Sequence, residues 1–171
     1  MANKEIERKI AVIFATDVVG YSKSVEVNEE QTIKNFRSCK KILEDLFKEH
    51  DGRIFNTAGD SVLAEFSSAV SAVICATEFQ RLLKERNESE TTDLKMKFRI
   101  GINMGDVVVE GDNLYGDGVN IAARLEALAQ PNGVCLSRSV HEFINKKMDF
   151  LFNDLGEQTV KDNKFHAFDV V

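Results

Sequence analysis

The hydrophobic and polar positions in the first third of the chain follow patterns typical of a strand and then of a helix. Residues 9–19, KIAVIFATDVV, are almost continuously apolar and rich in β-branched side chains, which predicts a central strand buried on both faces. Residues 29–50 carry apolar side chains at helical spacing, and Gly52 follows as a stop signal. We therefore expect a buried strand and a helix that packs against it.

A hairpin and a second helix are predicted next. Residues 53–58 and 61–66 have the pattern of two strands joined by a turn at residues 58–60, where a glycine allows the positive φ that tight turns often need. Ser67 or Ser68 is predicted to cap the helix that follows. The predicted buried positions of this helix are Val70, Val73, Ile74 and Leu82. The polar segment at residues 85–93 is expected to end this helix.

The second half of the chain is richer in strands. Residues 95–103 alternate strictly, which predicts a strand with one buried face, and VVVE at 107–110 is its predicted hairpin partner after a turn at 104–106. Further expected elements are a helix from about 118 to 129, a turn at 131–133, a strand at 134–137, a helix at 139–147, and strands at 150–154 and 165–171. This order predicts an α+β fold, a ferredoxin-like βαββαβ core with extra C-terminal strands and a helix.

Composition limits the class of protein. With 171 residues and 43% apolar content, the chain suits one domain spanning residues 1–171. It has no apolar run near the roughly 18 residues of a membrane span, and its charged N-terminus does not resemble a signal peptide. Three widely spaced cysteines argue against a disulfide framework and favour a cytoplasmic setting. The net charge of −6 argues against a general attraction to nucleic acid or anionic membranes.

Two aspartates that interrupt apolar runs are the candidate chemistry of the chain. Asp17 ends the first predicted strand, and Asp60 lies at the tip of the following hairpin. Because Mg²⁺ prefers oxygen ligands and usually takes one or two carboxylates together with substrate phosphates, the pair predicts a metal site for a phosphate compound. Taken singly, Asp17 could instead cap the next segment, and Asp60 could be a simple turn residue.

Backbone amides next to Asp17 are a candidate anion-binding nest. The amides between Val18 and Ser22 could contact a triphosphate, although the chain has no Walker-type GxxxxGK motif. The candidate substrate-binding positions of this loop are Val19, Gly20, Tyr21 and Ser22.

Four ordered motifs carry a resemblance to a known family. The runs FATDVVGYS, GRIFNTAGDSVLAEF, FRIGINMGDVVVEG and LYGDGVNIAARLEAL resemble the catalytic domain of the bacterial class III adenylate/guanylate (nucleotidyl) cyclases. The likeness covers the chain from about Lys9 to Val171. It implies that Asp17 and Asp60, with the backbone carbonyl of Val18, bind two divalent metal ions, Mg²⁺ or Mn²⁺.

The resemblance also implies roles for residues late in the chain. Asn120 and Arg124 match the asparagine that orients the ribose and the arginine that stabilises the transition state, and their i, i+4 spacing places them on one helix face. Taken alone, Arg124 could instead be a surface residue paired with Glu126 or Asp117. Lys161 resembles a lysine that contacts the triphosphate, although an ordinary surface lysine is an equal interpretation.

The reaction that the resemblance implies is attack of the ribose 3′-hydroxyl of ATP on the α-phosphorus, which releases pyrophosphate and leaves cyclic AMP. In the family the site is completed across a homodimer: one subunit contributes the metal-binding aspartates and the other contributes the helix with the asparagine and the arginine. A C2 dimer would therefore carry two equivalent sites.

The base-selecting positions depart from the adenylate cyclase pattern. Asn56 stands where the family has an adenine-selecting lysine, and Asn113 stands where it has an adenine-selecting aspartate. An asparagine can donate or accept by flipping its amide, so the pair suits adenine or guanine. We favour ATP because neither position carries the glutamate of guanylate cyclases. In the alternative interpretation, Asn56 is an ordinary strand residue and backbone groups select the base.

Other classes of function compete with this assignment. A cyclase-like regulatory domain would bind a nucleotide without turnover, but loss of Asp17, Asp60 or Arg124 is the usual sign and all three are present. An RNA-recognition module needs a basic face and exposed aromatics, which the predicted central strands lack. A diguanylate cyclase needs a Gly-Gly-Asp/Glu-Glu-Phe motif, which the sequence does not contain.

Overall fold

A computed structural model describes residues 6–89 and 95–171 of the chain. The strands are β1 (Glu7–Val18), β2 (Arg53–Ala58), β3 (Ser61–Phe66), β4 (Phe98–Glu110), β5 (Asn113–Tyr115), β6 (Val134–Ser137), β7 (Phe152–Val160) and β8 (Asn163–Val170). The helices are α1 (Tyr21–Val27), α2 (Glu29–Glu49), α3 (Ala69–Ser89), α4 (Asp117–Leu128) and α5 (Arg138–Ile144). These elements confirm the predicted α+β class.

The strands of the described residues form one sheet in the order β2-β3-β1-β4-β6-β8-β7, with β5 paired to β4 beside this path. β4 and β6 run parallel, and the other pairings are antiparallel. The neighbouring strands β2, β3, β1 and β4, together with α2 and α3, form the predicted βαββαβ core. The order places β1 between β3 and β4, so the end of β1 is flanked by residues from two strands.

The side-chain alternation of β1 divides the apolar core into two layers. On one face of the sheet, Val12 and Phe14 are buried against α2, α3 and α5. On the other face, Ala11, Ile13 and Ala15 are buried against α4. This explains why the sequence of β1 is continuously apolar rather than alternating.

The predicted hairpin at residues 104–106 is wrong. β4 continues through this segment, and Gly105 and Asp106 lie opposite Ala11 and Ile10 in the antiparallel ladder with β1. The long partner strand supplies hydrogen bonds along the whole length of β4, and these outweigh the local turn signal of the Gly-Asp pair. The chain instead reverses after Glu110 and returns as β5.

The helices differ from the predicted pattern in detail. The short helix α1 was not predicted, and the predicted buried residue Ile74 of α3 is 38% exposed. The prediction is confirmed for Val73, whereas Val70 and Leu82 are half-buried. The buried residues of α3 are Ala69, Ala72, Val73, Cys75, Ala76, Phe79, Gln80 and Leu83. Ser68, rather than Ser67, caps α3, since its Oγ accepts a hydrogen bond from the Ser71 N–H at 3.2 Å. Part of the predicted polar link lies at residues 90–93, outside the described residues.

Two glycines allow α4 to lie directly on the sheet. A Cβ atom placed on Gly101 of β4 would lie 2.2 Å from the backbone nitrogen of Glu126 and 2.5 Å from the carbonyl oxygen of Ala122. A Cβ atom on Gly118 would lie 2.5 Å from the carbonyl oxygen of Asp106. Both contacts are with backbone atoms, so a side chain at either position would force α4 away from β4.

We predict that Gly101→Ala lowers the free energy of unfolding by about 1–3 kcal/mol, because the added methyl group overpacks the contact between β4 and α4. Urea denaturation measures this change. Gly105→Ala is the matched control on the same strand, because its added Cβ would meet the side-chain amide of Asn103 at 3.2 Å and would come no closer than 3.7 Å to a backbone atom, the Cα of Gly118. An equal effect of the two substitutions would contradict the close approach of α4.

Candidate active site

Asp17 lies at the end of β1 and is held by an arginine on the neighbouring strand. Arg99 of β4 is its direct partner across the ladder. The Arg99 Nε donates to Asp17 Oδ1 at 3.0 Å, and the Arg99 Nη2 donates to Asp17 Oδ2 at 2.7 Å. These hydrogen bonds raise the pKa of Arg99, while its partial burial opposes the shift. The arginine is therefore the cation that the isolated carboxylate in the strand requires.

Asp60 contacts the same end of β1 from the side of β3, opposite to Arg99 of β4. It lies in the turn between β2 and β3, after Gly59 with φ of 59°. Its Oδ2 accepts a hydrogen bond from the backbone N–H of Val18 at 2.9 Å. Because Val18 follows Asp17 directly, the structure brings the two sequence-predicted aspartates together at one point.

A third acidic residue, Glu126 of α4, approaches this pair from the same chain. Its side chain is almost fully buried, and its Oε2 lies 3.8 Å from Arg99 Nη2. Burial, and then the negative charge of Asp17, raise the pKa of Glu126 to about 8, although the charge of Arg99 opposes the shift. A hydrogen bond between the carboxyl groups of Glu126 and Asp17 adds to this rise. Burial and the charge of Asp17 thus favour the protonated form of Glu126, which can donate to Asp17.

Asn120 and Arg124 lie on a different face of α4 from Glu126. The buried positions of α4 are Gly118, Val119, Ala122, Leu125 and Glu126. Because an α-helix turns about 100° per residue, Arg124 projects about 200° away from Glu126. The half-buried Arg124 has one covered atom, Nε, that finds no hydrogen-bond partner in the described part of the chain. The structure therefore does not bring Asn120 and Arg124 to the aspartates of their own chain.

The loop after β1 only partly fits the predicted nest of amides. The Val18 amide donates to Asp60, and the Val19 amide donates to the carbonyl oxygen of Lys97 at 2.8 Å, so the prediction is wrong for these two amides. Gly20 adopts φ of 66° and precedes α1. Tyr21 and Ser22 begin that helix, where the first amides lack an intrahelical acceptor. Their amides remain candidates for an anion.

The two base-selecting candidates lie on neighbouring structural elements. Asn56 is an exposed residue of β2, next to an irregularity in the pairing of β2 with β3. Asn113 begins β5. A hydrogen bond from Arg53 Nη1 to the carbonyl oxygen of Asp112, 2.7 Å long, ties β2 to the turn before β5. The strand of Asn56 and the hairpin of Asn113 are thus held side by side.

Lys161 occupies the tight turn between β7 and β8, with φ of 44°, and is exposed. β7 lies at the opposite end of the sheet order from β2 and β3. The structure therefore does not bring Lys161 to the aspartates of its own chain.

Sequence reasoning missed Arg99 and Glu126. In the alternating strand predicted at residues 95–103, Arg99 shares the polar face with Lys95 and Lys97, and nothing in the alternation distinguishes it from them. The available signal was the antiparallel register of β1 and β4, which sets Arg99 opposite Asp17. Glu126 was considered only as a surface partner of Arg124, whereas its side chain is directed into the sheet.

Comparisons with known proteins agree with this arrangement. The profile of the adenylate and guanylate cyclase catalytic domain matches residues 2–169. A protein of Rhizobium meliloti (strain 1021) named "Putative adenylate cyclase 3" is 44% identical over 162 residues, which cover 94% of this chain and 28% of that protein. The chain thus spans less than a third of the length of this relative. Among the described residues, no helix is long and apolar enough to cross a membrane.

Solved structures of similar fold cover nearly the whole chain. The adenylate/guanylate cyclase/hydrolase from Silicibacter pomeroyi is 35% identical, with a TM-score of 0.90 and coverage of 98% of this chain and 99% of that one. The adenylyl cyclase CyaB from P. aeruginosa, at 22% identity and a TM-score of 0.82, covers 98% of this chain and 96% of its own. Because its sequence identity is only 22%, the comparison with CyaB shows a similarity of fold alone.

We predict that Glu126→Gln raises the melting temperature in metal-free, chelator-containing buffer, and that the gain grows from pH 5 to pH 8. A carboxyl group whose pKa rises from 4.5 to about 8 on folding costs no stability below the lower value and destabilises the fold increasingly as pH rises toward the upper one. Glutamine stays neutral and can still donate to Asp17. The control is Glu110→Gln, at an exposed position. A gain independent of pH would contradict the assignment.

Proposed function

Because the chain belongs to the adenylate and guanylate cyclase catalytic domain family, we propose that it converts a nucleoside triphosphate, preferentially ATP, to the 3′,5′-cyclic nucleotide and pyrophosphate. The observation that carries the proposal is the meeting of Asp17 and Asp60 at Val18, beside the cation of Arg99. Two carboxylate groups at one point suit a divalent cation, and a neighbouring arginine suits the triphosphate that accompanies it.

The donor atoms fit two divalent cations. Asp17 and Asp60 offer carboxylate oxygens, which hard cations such as Mg²⁺ and Mn²⁺ prefer. The backbone carbonyl of Val18, the residue after Asp17, is a third candidate oxygen donor. Arg99 occupies both oxygens of Asp17 in this arrangement, so metal binding requires the arginine to release at least one of them. When bound, the cations would lower the pKa of the ribose 3′-hydroxyl and offset charge on the phosphates.

The side chains of the site bind and orient the nucleotide. A released Arg99 would lie next to the triphosphate, where its planar guanidinium can bind two phosphate oxygens. Arg124 would donate to the α-phosphate as negative charge develops. Asn120 would hold the ribose, Lys161 would contact the terminal phosphates, and the amides of Tyr21 and Ser22 would complete the anion site.

The geometry of α4 supports a site shared between two copies of the chain. Glu126 directs one face of α4 toward Asp17 of the same chain, so Asn120 and Arg124 are turned away from that carboxylate. Lys161 lies at the other end of the sheet order. A C2 dimer would place these residues against the aspartates of the second copy and would produce two equivalent sites.

Adenine is the proposed base, and guanine is the alternative. The Rhizobium relative is named for adenylate cyclase activity, whereas solved structures of similar fold include guanylyl cyclases, one from Catenaria anguillulae in complex with GTP. Asn56 and Asn113 can each donate and accept, so neither residue excludes guanine.

A second candidate function is a cyclase-like regulatory domain without turnover. The bidentate contact of Arg99 with Asp17 favours it, because the arginine occupies the carboxylate that a catalytic metal requires.

Product formation from ATP, GTP, CTP and UTP, measured separately with Mg²⁺ and then with Mn²⁺, tests the proposal. We expect cyclic AMP as the dominant metal-dependent product, and Asp60→Ala should lower its rate by at least about a hundredfold, the usual effect of removing a group that stabilises developing charge. Asp149→Ala, at an exposed position, is the matched control.

Comparable rates with several nucleotides would indicate a cyclase of relaxed base specificity rather than an adenylate cyclase. No product from any nucleotide, in a folded dimer, would contradict catalysis and favour the regulatory domain.

A further inference from the structure

The side-chain amide of Asn113 is fixed by two hydrogen bonds in β5. Its Oδ1 accepts from the backbone N–H of Leu114 at 2.9 Å, and its Nδ2 donates to the hydroxyl oxygen of Tyr115 at 2.9 Å. A backbone N–H can only donate, so the first bond identifies the oxygen of the amide. The hydrogen bond to Tyr115 is therefore made by the amide nitrogen, Nδ2. The amide that sequence reasoning treated as free to flip has one assigned orientation.

The strand that carries this pair is itself held in place. Leu114 is buried beneath it, and Tyr115 and Asn113 are paired with Val108 and Glu110 of β4. Successive side chains of a strand alternate in direction, so Asn113 and Tyr115 share one face. Tyr115 is 46% exposed on that face, as a residue that contacts a ligand or a second subunit would be.

A charged network joins this hairpin to the strand of Asn56. Arg53 of β2 donates to the carbonyl oxygen of Asp112 at 2.7 Å and to Glu65 at 3.0 Å. Lys9 pairs with the same Glu65 at 2.7 Å. Burial of Glu65 works against its ionisation, but the hydrogen bonds from Lys9 and Arg53 outweigh it and lower the pKa of Glu65. The two base-selecting positions therefore keep a fixed separation.

We propose that Tyr115 determines base specificity as a positioning residue that acts through Asn113. The inference rests on the proposed function, because it assumes that Asn113 contacts the base. While Tyr115 accepts from Nδ2, the amide keeps one hydrogen and one lone pair for the ligand. The amide thus presents one donor and one acceptor at fixed positions rather than interchangeable ones.

A fixed amide discriminates between purines, whereas a mobile one does not. Adenine presents an amino donor and a ring-nitrogen acceptor, and guanine presents the reverse pattern at the same edge. If the amide cannot flip, the wrong purine leaves a polar group of the pocket unpaired, which is the usual source of strong discrimination. Without the Tyr115 hydroxyl, only the Leu114 N–H still favours this orientation, so the amide turns more readily and discriminates less between the purines.

The test is Tyr115→Phe, which removes only the hydroxyl group of a half-exposed side chain. We measure kcat/KM for ATP and GTP and expect the ratio of the preferred to the other purine to fall about three- to tenfold toward one, the range set by one net hydrogen bond. We expect the loss to lie in KM, with kcat for the preferred purine changed less than about twofold. Equilibrium binding of the non-cyclising α,β-methylene analogues of ATP and GTP gives the same ratio without turnover.

The matched control is the same substitution in an Asn113→Ala background. If Tyr115 acts through the amide, Tyr115→Phe leaves the base ratio of Asn113→Ala unchanged. An unchanged ratio in the wild-type background, or an equal change in both backgrounds, overturns the inference. Absence of product with retained analogue binding contradicts the proposed catalysis instead, and the binding ratios still decide the role of Tyr115.

Discussion

The bidentate ion pair between Asp17 and Arg99 is the interaction on which the candidate site depends. A carboxylate at the end of a strand buried on both faces requires a cation, and the planar fork of arginine satisfies both oxygens across the β1–β4 ladder. Burial and the negative charge of Asp17 raise the pKa of the adjoining Glu126, and the charge of Arg99 opposes this rise. Asp60 completes the arrangement through the Val18 amide. The pair thus holds the strand end in place, and under the proposed function a metal ion would have to compete with Arg99 for the oxygens of Asp17.

The close packing of α4 on the sheet connects the fold to the proposed two-copy site. Gly101 brings the backbone of α4 against β4, and this contact turns Glu126 inward. The helical period then turns Asn120 and Arg124 away from the aspartates of their own chain. Under the proposed function, this single close contact between a helix and a strand would make each copy supply one half of two different sites.

The sequence predicted the local features of the site better than its long-range contacts. The turn that carries Asp60 was predicted at its exact residues because a glycine with positive φ is a local signal. The hairpin at 104–106 was wrong because the pairing of β4 with β1, a contact between distant segments, overrides that kind of signal. Arg99 was missed for the same reason, since its importance comes from the register opposite Asp17. The fixed amide of Asn113 depends on hydrogen-bond geometry that residue types alone do not specify.

The central claim is that two copies of the chain build each site, and mixing two inactive variants tests it most directly. Asp60→Ala removes one half of the site and Arg124→Ala removes the other. In an equimolar mixture, half of the dimers would be hybrids and each hybrid would contain one intact site, so cyclase activity should return to about a quarter of that of the wild type. No recovery above the separate variants, in a mixture shown to exchange subunits, would contradict the shared site.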